Sequence, residues 1–146
     1  MDAPAIRQAT FIKAIPSRIY ECLTTGAGWD SWFTSGAEVD PRIGGFVKLR
    51  WRDFGPDRTT CEDGGPVVAV LTNRQFAFKW SPASHATTVN IALEERDSGT
   101  LVVVTETGYT TSEDDLKALV SCACGWGEAM TLFKYYLEYG ISPTGS

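Results

Sequence analysis

The sequence predicts an α+β fold, a curved antiparallel β-sheet wrapped around a long C-terminal α-helix, with two short helices after the first strand. Three observations carry this. From Gly36 to Gly108 apolar and polar residues alternate with period two between turn signals. From Ser112 to Gly140 apolar residues recur at steps of three and four. No internal repeat or low-complexity linker divides the 146 residues. That length suits one core and not two ordinary domains, so a single domain over 1–146 is expected, ordered from about 5 to 140.

Residues Ala5 to Ala14 are rich in Ile, Thr and Phe without a breaker and predict the first strand. Pro16 suits a first helical turn, and Ile19, Tyr20 and Leu23 supply a short apolar face. "TTGAG" ends that helix, and "WDSWF" predicts a second, with Trp29, Trp32 and Phe33 as its apolar surface. The meander follows in "GGFVKLRWRDF", "GGPVVAVL", "RQFAFKWS", "ATTVNIALEE" and "TLVVVTET". "SPASH" and "ERDSGT" read as turns, as do the pairs Gly44–Gly45 and Gly64–Gly65. "GPDRTTCEDGG" predicts a longer loop whose pairing is left open. Alternation assigns an inner face of Val47, Leu49 and Trp51; Phe76, Phe78 and Trp80; Val89, Ile91 and Leu93; and Val102, Val104 and Glu106.

Ser112 is a good N-cap, with Glu113, Asp114 and Asp115 in the first turn where the helix dipole favours negative charge. Leu116, Leu119, Ala123, Trp126, Met130, Phe133 and Leu137 form one stripe that the sheet is expected to bury, and Gly140 stands just past the end. Within it "SCACGWGEAM" places Gly125 and Gly127 around Trp126. Each internal glycine costs roughly 1 kcal/mol relative to alanine, so the pair needs a reason in what the helix covers.

Composition excludes several classes. A net charge of −5 and a pI near 4.8 argue against nucleic acid as a partner, since phosphate recognition needs clustered Lys and Arg. Lys48, Arg50 and Arg52 alternate along one strand and read as a solvated face. The N-terminal stretch lacks a signal-peptide pattern, and no run approaches the ~20 apolar residues of a membrane span, which predicts a cytoplasmic protein. Cys22, Cys61, Cys122 and Cys124 lack framework spacing and read as reduced thiols. His85 is the only histidine and sits in a turn; Cys122 and Cys124, two apart on a helix, point about 200° apart. No metal site and no cofactor is therefore expected. Phosphate-loop, "GxSxG" and "HExxH" patterns are missing as well.

In order and spacing, "IPSRIYECLTT", "WDSWF", "GGFVKLRW", "RQFAFKW", "TTVNIALEERDSGTLVVVTETGY" and "GWGEAMTLFKYYLEYG" resemble the bacterial proteins akin to the C-terminal domain of the heat-shock protein 90 ATPase activator. These belong to the START-like (SRPBCC), helix-grip superfamily. The resemblance implies a long helix gripped by the sheet with a cavity often left between them. Members of the superfamily bind lipids, sterols, polyketides or other apolar molecules, and some cyclise or dehydrate polyketides. The eukaryotic activator makes much of its chaperone contact through a separate N-terminal domain for which this chain has no room, so the resemblance does not carry chaperone activation with it.

The first reading is thus a domain that holds an apolar or lipid-like molecule between helix and sheet, as a monomer or weak dimer. The expected lining is Trp51, Phe78, Trp80, Tyr109, Trp126 and Met130, with Glu106 as polar anchor. Trp126 is either a cavity wall or a core tryptophan. Glu106 is the sharpest anomaly, sharing the face of Val102 and Val104. It either holds a polar ligand group, moves protons, or bonds structurally to a Tyr or Trp of the core. Tyr20 is a further candidate for the lining. The second reading is a cyclase or aromatase-like enzyme using Glu106; a lone acid without an assured partner favours binding over catalysis, and no catalytic residue is assigned. The third is a protein-interaction module, chaperone-linked, using the face of Lys48, Arg50 and Arg52.

Overall fold

The computed structural model describes residues 2–143. One seven-stranded antiparallel sheet is formed by β1 (Ile6–Ile12), β2 (Glu38–Val39), β3 (Phe46–Phe54), β4 (Thr59–Leu71), β5 (Gln75–Trp80), β6 (Thr87–Arg96) and β7 (Gly99–Thr107). Its order is β1-β7-β6-β5-β4-β3-β2. Helices α1 (Pro16–Leu23) and α2 (Gly26–Asp30) follow β1, and α3 (Glu113–Tyr139) closes the chain. This is the α+β helix-grip arrangement the sequence predicts. No described helix is long and apolar enough to cross a membrane.

Period-two alternation sets the core. Val89, Ile91 and Leu93 on β6, and Val102, Val104 and Glu106 on β7, are all buried, with Val89 opposite Glu106 and Ile91 opposite Val104. Trp51 is the exception on the expected inner face, being only half-buried. Irregular register between Val67 and Ala69 and between Trp51 and Phe54 bends the sheet around α3.

The structure corrects several expectations. Helix α2 begins at Gly26, before "WDSWF", because Thr25 caps it by accepting the Gly28 N–H at 3.0 Å. Gly28 is needed there: a Cβ would lie 2.5 Å from the Cys22 backbone of α1. Trp32 and Phe33 consequently sit in the turn after α2. Strand β2, only two residues long, was too short to leave a pattern. The "TTCEDGG" stretch is strand and not loop, and Gly64–Gly65 lies inside β4, opposite Lys48 and Val47. A Cβ on Gly64 would stand 2.1 Å from the Val47 carbonyl oxygen, and one on Gly65 2.4 Å from that of Lys79, so close strand approach excludes side chains at both.

Helix α3 starts where Ser112 accepts the Asp115 N–H and ends at Gly140, whose φ of 71° is left-handed. The apolar stripe is buried only in its second half. Trp126, Met130, Phe133 and Leu137 are buried, Leu119 and Ala123 half-buried, and Leu116 is exposed. The helix comes closest to β1. There Gln8 Nε2 donates to the Ala123 carbonyl at 3.1 Å, and Glu138 accepts the Lys13 N–H at 2.9 Å. Leaning on that edge, α3 packs far less closely against β3 and β4.

Candidate functional site

The space between α3 and the sheet is divided in two. On one side it is filled: Trp32 stacks on Phe133 at 4.3 Å between ring centroids and on Trp29 at 5.2 Å, while Trp29 meets Phe78 edge-on at 6.4 Å. On the other a groove of about 440 Å³ stays open between α3 and strands β3 and β4. Its walls are Phe33, Trp51, Phe54, Trp80 and Trp126. Its rim carries Cys61, Asp63, Ser121, Cys122 and Glu128. A depression of about 600 Å³ at Ile15, Asn73, Arg74 and Glu94 is lined mostly by polar surface and lacks any aromatic wall.

The aromatic walls form a chain of contacts. Phe33 packs edge-on against Trp51 at 5.3 Å and Phe54 at 5.5 Å, Trp51 lies 6.3 Å from Trp80, and Trp80 lies 5.5 Å from Trp126. Regular alternation would point Phe54 away from Trp51. The bulge prevents that: Asp53 takes a left-handed φ of 53°, held by its N–H to Thr60 Oγ1 at 2.9 Å and by Arg58 at 2.6 Å, so Phe54 turns onto the groove. Gly125 opens the helix side, since a Cβ there would meet nothing within 4 Å beyond its chain neighbours and the helix's own backbone. Gly127 faces β1, where a Cβ would lie 3.3 Å from Gln8 Nε2. The two glycines thus do different things: one leaves free volume beside the Trp126 indole, and the other admits the Gln8 side chain.

Glu106 lies fully buried behind this wall and accepts four hydrogen bonds. Oε2 takes Trp80 Nε1 at 2.9 Å, Thr87 Oγ1 at 2.6 Å and Tyr109 Oη at 2.8 Å; Oε1 takes Trp126 Nε1 at 3.0 Å. The fold delivers each donor. Trp80 and Thr87 are paired across β5 and β6, and Gly108, at φ 113°, turns the chain so that Tyr109 reaches back three residues. Burial drives the Tyr109 phenol far above its usual range, helped by its contacts with Cys122 and Glu106. Burial also raises the Cys122 thiol, against the Tyr109 hydrogen bond and with the negative charges of Glu106 and Asp63. A thiol raised in this way is a poor nucleophile.

The expected lining is therefore split. Trp51, Trp80 and Trp126 border the groove. Phe78 and Met130 are buried in the packed core, and Glu106 and Tyr109 stand behind the indoles. Tyr20 is elsewhere, donating to the Gln75 carbonyl at 3.0 Å. Phe33, Phe54 and Asp63 were not foreseen as lining. Alternation could have placed Asp63 had the pairing of Leu49 with Asp63 been known, because paired residues share a face. Phe54 had no such signal, its direction being set by the bulge.

A curved antiparallel sheet gripping a C-terminal helix, with an aromatic groove between them, defines the helix-grip class. Residues 13–138 match the family described as Activator of Hsp90 ATPase homolog 1-like protein, and the chain belongs to that family. Among solved structures it is similar to the Aha1 dimer from Colwellia psychrerythraea, at 22% identity and a TM-score of 0.78 over 96% of this chain and 100% of that one. It is also similar to the protein SSP2350 from Staphylococcus saprophyticus, at 21% identity and a TM-score of 0.76 over 98% of both chains. DynU16, a putative protein in the dynemicin biosynthetic locus, aligns at 17% identity and a TM-score of 0.79 over 97% of this chain and 49% of its own. No curated protein sequence matches.

Proposed function

We propose that this protein binds an apolar or lipid-like small molecule in the groove between α3 and strands β3 and β4. One observation carries the reading: five aromatic side chains wall an open groove of about 440 Å³, the size of a small-ligand site, and a glycine keeps its helix side clear. Affinity comes chiefly from apolar burial, at about 25 cal/mol per Å². Glu106 acts here as a positioning residue. It fixes the Trp80 and Trp126 indoles, so the wall is preorganised and little ordering cost falls on the ligand. Its oxygens already face four donors and lie behind the wall, which supports binding over proton transfer. That one fold neighbour comes from a biosynthetic locus agrees with small-molecule handling.

The test is a titration of the labelled protein with fatty acids, sterols, flavonoids, polyketides and aromatic amines, followed through amide and indole N–H resonances. Shifts clustered at Trp51, Trp80, Gly125 and Trp126 are the expected result. A well-dispersed spectrum in which no compound moves those signals would remove the proposal.

A further inference from the structure

The groove's charged groups narrow the class of ligand. Asp63 stands on the inner face of β4, opposite the buried Leu49, and is half-buried. Its carboxylate accepts only backbone N–H groups, from Gly64 at 2.7 Å and Ser81 at 3.0 Å, and among the described residues it has no ion-pair partner. Glu128, exposed on the α3 side of the rim, has none there either. Glu62 also reaches the mouth, but it pairs with Lys48 and Arg50 on the outer face. Among the described residues no Lys, Arg or His lines the groove. Behind the wall, Glu106 adds a further carboxylate held by neutral donors only.

Resting on the binding reading above, we infer that the ligand is a small organic amine, a protonated or quaternary ammonium group carried on an aromatic or alicyclic body. Aromatic rings attract such a cation through their negative faces, and Trp51, Trp80 and Trp126 supply rings along the groove, where the unpaired Asp63 and Glu128 complement its charge. A carboxylate ligand meets the opposite: it would enter beside Asp63 with no cation to receive it, in a partly desolvated space where like charges repel strongly. The groove therefore discriminates by sign as well as by shape.

Calorimetry with three probes sharing one body separates the claims: naphthylmethylamine, naphthylmethanol and naphthoate, with tetramethylammonium as a cation lacking the body. The amine is expected to bind about tenfold more tightly than the alcohol, and naphthoate more weakly than either. Added salt should shrink the amine's advantage. Asp63→Asn keeps an oxygen for the Ser81 and Gly64 N–H groups, so it should fold and should cut the amine-to-alcohol affinity ratio several-fold. If the alcohol or naphthoate matches the amine, the cation preference is wrong while the binding reading survives. If tetramethylammonium matches the amine, the body contributes nothing and the inferred ligand class falls. Should none of the probes bind, this inference fails, while the groove as a binding site stands or falls on the titration with the wider panel.

Discussion

Trp80 and Trp126, one on the last position of β5 and the other in the middle of α3, donate to opposite oxygens of the same buried carboxylate. Their Nε1 atoms stand 2.9 and 3.0 Å from Glu106 Oε2 and Oε1, and their rings meet at 5.5 Å with a tilt of 44°. Glu106 thereby ties the helix to the sheet through the side chains that wall the groove.

Glu106→Gln should expose that tie. An amide offers one oxygen where the carboxylate offered two. The side of Glu106 that receives Trp80, Thr87 and Tyr109 has more donors to satisfy, so the amide NH₂ should turn toward Trp126 and leave its indole without an acceptor. An orphaned buried donor with the loss of a charged acceptor should cost about 3 kcal/mol. The Trp126 indole N–H resonance should move further than that of Trp80. Equal stability and an unmoved Trp126 signal would refute the assignment.

Asp115 makes a second tie, at the start of α3. It accepts the Thr110 N–H and hydroxyl, each at 2.8 Å, and the Ser84 N–H at 3.2 Å. The Thr110 bonds, then those from Ser84, hold its carboxyl well below the ordinary 3.8. A folded value lower than the unfolded one gives stability that is present above the unfolded value and lost as pH falls toward the folded one. The protein should therefore lose stability below about pH 4, and Asp115→Asn should lose less over the same range. Denaturant midpoints taken from neutral pH down to about pH 2.5 check this: parallel curves for the two proteins would contradict it.

Much of the architecture was legible because its causes are local. The alternation that buries Val89, Ile91, Val102 and Val104 is written in successive residues, and so are the Ser112 cap and the Gly140 stop. Glu106 stood out on the same ground. That it would bond a Tyr or Trp of the core was among the expectations; which donors meet there was not legible, since they come from β5, β6, α3 and the turn after β7, brought together only by the fold. The groove was partly legible: aromatic residues marked Trp51, Trp80 and Trp126, but alternation cannot tell a wall from a packed core. That distinction follows from where α3 leans, which places Phe78 and Met130 under full packing and leaves the β3–β4 end open. Phe54 was hidden by the bulge at Asp53, a reversal of alternation that a sequence does not announce.

The two tryptophans of the filled half should respond unequally to phenylalanine. Trp29 and Trp32 are both fully buried. Trp29 Nε1 donates to the Leu23 carbonyl at 2.8 Å, closing the end of α1, whereas Trp32 Nε1 has no partner among the described residues. Both substitutions lose packed area. Trp29→Phe also strands a carbonyl, and Trp32→Phe removes an unsatisfied donor. Trp29→Phe should therefore be the more destabilising by about 2 kcal/mol. Urea unfolding of the two variants decides it, and the reverse order would show that the Leu23 bond contributes little.

The glycines around Trp126 yield the most discriminating set of variants. Gly125→Ala places a methyl where nothing beyond its chain neighbours and the helix's own backbone lies within 4 Å, so the helix should gain most of the propensity difference, about 0.5–1 kcal/mol. Gly127→Ala gains less, because its methyl lies 3.3 Å from Gln8 Nε2 and crowds the Gln8 bond to Ala123. That bond can shift, so the change should remain mildly stabilising. Gly125→Leu goes further and puts an isobutyl group into the groove beside Trp126. Its thermal stability should stay close to that of the parent, while affinity for a neutral aromatic probe such as naphthylmethanol should fall by about tenfold or more. Unchanged affinity in Gly125→Leu would place the ligand outside the groove, and a collapse in stability would mean that Gly125 faces packed atoms after all.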